Sequence, residues 1–460
     1  MKRIIIFLLL SAISARAQEV LTIDQAISTA LEQNRTLRAS FHTLESSHWG
    51  KLNAVTHFLP KVTVDGGLTR IDPESERRAN AAVDFIKVFG TMFGIPASAL
   101  TDIRPFAYRD TYAAGLTVVQ PIYNGGLEIV GLRAANATQD RDEFSLLDTE
   151  QDVVARVRIG YLNVLKTVEL VGLATESVDR TKRHLETTRR REEVGMRTKT
   201  DVLRWEVQRA SDEGNLISAQ NFLAAARLQL NEIMGVDLNA QYSLQKFPGV
   251  DSLVAGGLSR PTLYASLDAM PDDDRVDPDV LAAHPALRMM EANLRIADIG
   301  IDKEYSAFQP RVNAAFQYNW KMYTGGEADP LRPWAIALTV SFPIFSSFGD
   351  YTNLQKARET FKATEQQVET FKRGLQLQAT NAQLALRAAK QRLEVGQKGQ
   401  VEAADVLASV TRRYESGGAS NVDLIDVQTA YTAARTNFIS AVYDYLIAEV
   451  QLARATGNVK

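Results

Sequence analysis

Residues 311–322 read Arg311-Val312-Asn313-Ala314-Ala315-Phe316-Gln317-Tyr318-Asn319-Trp320-Lys321-Met322. Every even position is apolar or aromatic, while the odd ones hold Arg311, Asn313, Ala315, Gln317, Asn319 and Lys321. Successive side chains of a strand point to opposite faces, so this alternation predicts a strand with one apolar and one polar side. A second run, expected as a strand over about 334–345, sets Trp334, Ile336, Leu338, Val340, Phe342 and Ile344 against Ala335, Ala337, Thr339 and Ser341. The pattern recurs more weakly at about 61–70, through Val62, Val64 and Leu68, and at about 111–123, through Leu116, Val118 and Ile122. Strands of about 10 residues, apolar on one face with aromatics toward the ends, have the dimensions of transmembrane barrel strands. One such strand alone would also fit a half-buried hairpin in water. Two hairpins flanked by long helices favour the membrane.

Those helices are marked by what they lack. Of fourteen prolines, none falls between Ile122 and Lys246 and none between Ile344 and Lys460. In the first stretch Leu147, Val154, Tyr161 and Val168 recur every seventh residue, interleaved with Val157, Val164 and Val171. In the last, Ala434, Phe438, Ala441, Tyr445, Ala448, Leu452 and Ala455 step by four and three. This spacing draws one apolar stripe along a helix and suits helices in long side-by-side contact. Each stretch is interrupted once by a glycine turn, at Gly195 and at Gly417-Gly418. A helix running from Leu127 to Val194 would be roughly 100 Å long at 1.5 Å per residue, a strut rather than a globular element.

The chain repeats itself. Leu59-Pro60-Lys61-Val62 returns as Gln309-Pro310-Arg311-Val312, and Gly195 with Asp201 returns as Gly417 with Asp423. The expected organisation is therefore a leader at 1–17, a first repeat over 18–235, a linking segment over 236–284 and a second repeat over 285–460. Each repeat runs helix, strand, strand, long helix, tip turn, helix. The first hairpin is longer than the second, and its extra residues, about Asp72 to Tyr108, read as a surface loop. The fold class is α+β. Four strands cannot close a barrel, and open edges in lipid leave backbone groups unpaired, so the barrel must be completed by other copies of the chain. Two copies give eight strands with an interior filled by side chains; three give twelve and a water-filled lumen, the simplest open pipe.

The N-terminus supplies the export signal such a protein needs: Met1-Lys2-Arg3, an apolar run from Ile4 to Leu10, and an Ala15-Arg16-Ala17 end. The composition excludes other classes. With no cysteine, the chain has no disulfide framework, thiolate metal site, cysteine nucleophile or cysteine-linked lipid. With 52 basic and 55 acidic residues, nothing in the net charge favours nucleic acid. No apolar run after the leader is long enough for a membrane helix.

Several of these segments resemble the TolC family of outer-membrane efflux ducts. They are Leu21-Thr22-Ile23-Asp24-Gln25-Ala26 with Asn34, the strand starts at Leu59-Pro60 and Gln309-Pro310, the Gln120-Pro121-Ile122-Tyr123 strand exit, and the tip segments from Val194 to Asp201 and from Tyr414 to Asp423. The resemblance covers nearly the whole chain. It implies a homotrimer with a twelve-stranded barrel in the lipid of the outer membrane of a Gram-negative bacterium, continued by a helical tunnel in the periplasm. It also implies two partners, a periplasmic adaptor (membrane fusion protein) and an inner-membrane pump, with drugs, metal ions or proteins as cargo. Asp423 and Asp426 match the family's periplasmic gate, where stacked carboxylate rings would repel one another and attract cations. An acid in a helix's first turn also complements the helix dipole, which alone would account for either residue. Asp201 and Tyr414 match one pair of polar contacts that ties the closed tip, with Thr200 matching its neighbour, around the turns at Gly195, Gly417 and Gly418. Ala419 stands where the family can carry a locking arginine, a departure that would leave this tip less tightly tied.

No other constellation carries chemistry. The five histidines form no i, i+4 pair, Gly126 to Gly131 lacks the Lys and Ser/Thr of a phosphate loop, and Asp272-Asp273-Asp274 lacks the spaced ligands of a calcium loop. No enzyme, cofactor or metal site is expected. A general porin would share the barrel without the struts, and an adaptor would have one helical hairpin in a β-rich chain.

Overall fold

The computed structural model describes residues 20–100, 103–246, 278–323 and 334–459. The expected leader and Asp272–Asp274 lie outside them. The chain forms two compact units. The first comprises residues up to 45, 140–291 and 366–460, and the second comprises 46–139 and 292–365.

The second unit holds a four-stranded antiparallel sheet. Its strands β2 (Lys61–Arg70), β3 (Asp110–Asn124), β5 (Arg311–Tyr323) and β6 (Trp334–Ser341) stand side by side in that order. The registers join the weak and strong patterns into a single amphipathic surface. Val62 opposes Val118, Val118 opposes Phe316 and Phe316 opposes Ile336; Val64, Leu116, Tyr318 and Trp334 form the next row. The other face carries Thr63, Thr117, Gln317 and Ala335 in register. On β6, Trp334, Ile336, Leu338 and Val340 are 65–71% exposed, so a row of large apolar groups stands uncovered in the single chain. β6 stops at Ser341, four residues short of the expected end, because Pro343 has no N–H to give a ladder. In β3 the register shifts between Pro121 and Tyr123, a bulge that accommodates the proline.

The hairpin joining β2 and β3 is not the plain loop expected over 72–108. It contains helix α3 (Pro73–Met92) and the short α4 (Ala97–Leu100). Asp72 caps α3, accepting from the backbone N–H groups of Glu74 and Ser75 at 3.0 Å, with Pro73 in the first turn. Asn80 pins the helix to the returning chain by bonds to the backbone of Phe106 and Ala107. At the other end of β3, Gly125 turns the chain toward the next helix with φ +67°, and a Cβ there would lie 2.4 Å from the Ser306 carbonyl oxygen.

The first unit is helical. It opens on a two-residue strand β1 (Val20–Leu21), followed by α1 (Ile23–Gln33); α2 (Arg35–Thr56) follows and continues into the second unit. Thr22 and Gln25 cap α1 reciprocally, at 3.1 and 2.9 Å. Asn34 separates α1 from α2: its carbonyl accepts from Thr36 and Leu37 while its amide donates to the Ile233 carbonyl at 2.8 Å. Two long helix pairs supply the frame. These are α5 (Leu127–Glu193) with α6 (Lys199–Met234), and, after a short β4 (Ser243–Leu244), α7 (Pro278–Ala282) and α8 (Pro285–Tyr305), α9 (Gly349–Glu415) with α10 (Asn421–Ala455); α5, α8 and α9 also run through residues of the second unit. α5 and α9 have 67 residues each, roughly 100 Å at ideal rise.

The apolar stripes feed a core at mid-helix. Val154, Val157, Tyr161 and Val164 of α5 are buried with Phe438, Val442, Tyr445 and Leu446 of α10, whereas Leu147 is exposed. β4 pairs in parallel with β1, and the Tyr161 hydroxyl sits 2.9 Å from the Leu21 carbonyl and 2.7 Å from that of Gln245. Burial pushes this phenol up to about 12, so it remains a neutral donor at any physiological pH.

Candidate functional site

The two helix hairpins of the first unit end in tips built alike. In the first, Gly195 takes φ +75° and the Met196 N–H reaches the Arg191 carbonyl at 2.7 Å; in the second, Gly417 takes φ +82° and the Gly418 N–H reaches the Arg413 carbonyl at 2.7 Å. Both are six-to-one closures that use a left-handed glycine to satisfy the last carbonyls of the incoming helix.

The outgoing helices then start on matching reciprocal caps. The Asp201 N–H donates to the Thr198 hydroxyl oxygen at 3.3 Å, and the Thr198 N–H donates to the Asp201 carboxylate at 3.1 Å. Ser420 and Asp423 repeat this at 3.2 and 2.9 Å. For Asp201, partial burial raises the carboxyl pKa, but the Thr198 N–H and hydroxyl with Arg197 and Arg204 outweigh it and hold the group below the usual carboxylate range. The Ser420 backbone and hydroxyl do the same for exposed Asp423, assisted by Arg413. Asp426 is exposed one turn further along α10 and takes no part in the cap. Thr200 is exposed and lines a shallow depression with Leu203, Val207, Val422 and Ile425.

Within the chain, Tyr414 and Asp201 do not form the pair that the sequence resemblance implied. Asp201 is turned onto Thr198, while the Tyr414 hydroxyl lies 3.3 Å from that of Thr188 on α5. The reason is packing: Tyr414 is buried in a small core with Leu185, Val202, Trp205 and Leu424, which fixes its ring between the hairpins. His184 stacks on Trp205 with centroids 5.0 Å apart and meets Tyr414 edge-on at 6.3 Å. The guanidinium of Arg197 sits 4.9 Å from the centre of the Tyr414 ring, a cation–π distance. Desolvation, then Arg180 and Arg183, push the His184 imidazole below its ordinary pKa, against a smaller pull from Glu415.

Sequence reasoning missed Trp205, His184, Thr188 and Arg197. The available signal was Trp205, one of four tryptophans in the chain, placed one turn after the capping aspartate. Among the described residues, no three His, Cys, Asp or Glu side chains gather as a metal site would require.

The sequence profile of the family described as outer membrane efflux protein matches residues 26–236 and 278–458. The chain is 19% identical over 353 residues to the outer membrane efflux protein BepC of Brucella suis biovar 1, covering 76% of this chain and 73% of that protein. It is 23% identical over 322 residues to the outer membrane protein TolC of Escherichia coli, a match that spans 67% of this chain and 62% of that one. Its fold matches the crystal structure of the Campylobacter jejuni CmeC outer membrane channel with a TM-score of 0.77 at 15% identity, over 95% of this chain and 85% of that one. The amphipathic sheet, the paired long helices and the match across both halves lead to one assignment: the chain belongs to the outer membrane efflux protein family.

Proposed function

We propose that three copies of this chain form the outer-membrane exit duct of a tripartite efflux or secretion system. The observation that carries this reading is the sheet. It has one mainly apolar face, broken by the Arg70–Asp110 pair and by Gln120, one more polar face and two outer strands, β2 and β6, that pair on one side only among the described residues. Each unpaired backbone group in lipid costs several kcal/mol, so β6 of one copy pairs with β2 of the next until the ring closes. Twelve strands leave an aqueous lumen lined by the polar face. The long helices continue the duct through the periplasm, where a periplasmic adaptor and an inner-membrane pump engage the tips. The duplicated organisation, with repeats over 18–235 and 285–460, gives each subunit two helix hairpins.

The gate is assigned to Asp423 and Asp426, with Thr200, Asp201 and Tyr414 as tip contacts. In a trimer the two acids form stacked rings. At ~6 Å, two such charges repel by about 0.7 kcal/mol in water and nearer 3 kcal/mol at an effective dielectric of 20. The rings therefore resist constriction and attract cations.

Single-channel recording in planar bilayers tests this reading. The wild-type protein is expected to run as a trimer in detergent, conduct poorly and be blocked by multivalent cations applied from the tip side. D423A/D426A should conduct more and lose the block. A monomer in detergent, or unchanged conductance in the double variant, overturns the duct or the gate respectively. Photo-crosslinking in cells from Met196 and Ala419 is expected to capture the adaptor or the pump.

A further inference from the structure

Above the tips, α5, α6 and α10 enclose a half-open cavity of about 560 Å³, within the range of small-molecule sites. Leu170, Leu173 and Phe222 supply its apolar lining, and Thr181, Asp212 and Gln428 its most buried polar groups. Asp212 is 6% exposed. The Thr181 hydroxyl donates to its carboxylate at 2.6 Å and the Gln208 amide donates at 3.0 Å. A carboxylate has about four acceptor sites, so these neutral donors leave acceptor capacity. No basic side chain among the described residues pairs with it: Arg180, Arg209 and Arg435, on the same three helices, are paired with Glu176 and Glu213. Burying a charge without a countercharge is unfavourable. Gln428, 7% exposed, also has an amide nitrogen with no acceptor.

We propose that this cavity is a binding site for amphiphilic organic cations, with Asp212 taking the positive charge. A lone carboxylate among hydroxyls and amides is too poor a donor set for calcium or a transition metal. An organic cation answers both halves of the lining: its charge meets Asp212, and its hydrocarbon or ring meets Leu170, Leu173 and Phe222. Phe222 is exposed at the mouth, where its ring face can also attract the cation. The free amide of Gln428 would donate to an acceptor on the ligand. As a station for exported cargo this site rests on the duct reading above; as a binding site it stands on its own geometry.

Titration of the full-length protein in detergent with ethidium, followed by calorimetry, tests the proposal. Saturable binding near one per chain is expected. D212N, which preserves shape and removes the charge, should weaken binding by about tenfold or more, and F222A by a smaller factor. Uncharged chloramphenicol and millimolar Zn²⁺ should not displace ethidium. Equal ethidium affinity in wild type and D212N, with both folded by thermal melting, overturns the proposal, as does displacement by Zn²⁺. The same preparations are examined in bilayers. Wild-type protein that binds ethidium through Asp212 but never conducts would overturn the duct and leave the site standing.

Discussion

The two hairpin tips begin from the same local chemistry and end in different surroundings. Each has a left-handed glycine, a six-to-one closure and a Thr/Ser–Asp reciprocal cap. Beyond that the tips diverge. Where the first has Arg197, the second has Ala419, and where the first has Arg204, three residues after its capping aspartate, the second has Asp426. The caps explain Asp201 and Asp423 equally well, so capping cannot be what distinguishes the second tip. Asp426 can, because no helix-start requirement places it there. The arginine absent at 419 is present at 197, reaching across to the ring of Tyr414 on the other hairpin.

The most disruptive test of this comparison removes the side chain on which the interlock rests. Trp205 is fully buried, and Trp205→Ala should destabilise the tip by about 3–5 kcal/mol, read as faster amide exchange in both hairpins. Exchange confined to α6 would mean the tips are energetically separate. Next, Thr198→Ala and Ser420→Ala should each cost about 1 kcal/mol of local stability. A clear inequality would show that matching geometry conceals unequal caps. Arg197→Ala should cost about 0.5–1 kcal/mol, and Ala419→Arg should not restore it if the contact depends on the first hairpin's geometry.

The smallest effect is one of pH. The folded tip holds His184 below its ordinary pKa of 6.5, so its neutral form is favoured by folding. That contribution is complete above about 6.5 and is lost as pH falls through the lowered folded value. The depressed carboxyls of Asp201 and Asp423 contribute fully above about 3.9 and weaken only below it. Protection at the tip, with the intrinsic exchange rate at each pH divided out, should therefore fall from pH 7.5 to 5.5 because of His184, and His184→Phe should remove that dependence.

How much of this was legible depends on how local each feature is. The alternation at 311–322 lies inside β5, and the proline-free stretches contain α5 and α9, because period and proline act within a few residues. The placement of β3 beside β5 is not local: it joins segments some 200 residues apart, and no periodicity encodes it. The helix within 72–108 is marked by Asp72-Pro73, a cap followed by a first-turn proline, but nothing in the repeat offset that flags the insertion says that it is helical. At the tips, the glycines and capping acids are marked by their recurrence. The partners of Tyr414 are not: Thr188 is 226 residues away, and Trp205 and His184 meet it only through packing.

The outer strands of the sheet have a consequence for how the protein is made. In the ring proposed above, β6 meeting β2 would be a head-to-tail contact, and such a contact propagates as readily into an open ribbon as into a ring. The chemistry of the edges would therefore not count the subunits; curvature would, set by strand twist and by bulges such as that at Pro121–Tyr123. Until closure, every added copy leaves one β2 and one β6 still sticky. If the ring forms as proposed, overproduced chain would face a kinetic contest between closing and continuing to grow, and a substitution that flattened β3 would shift its outcome without touching either edge.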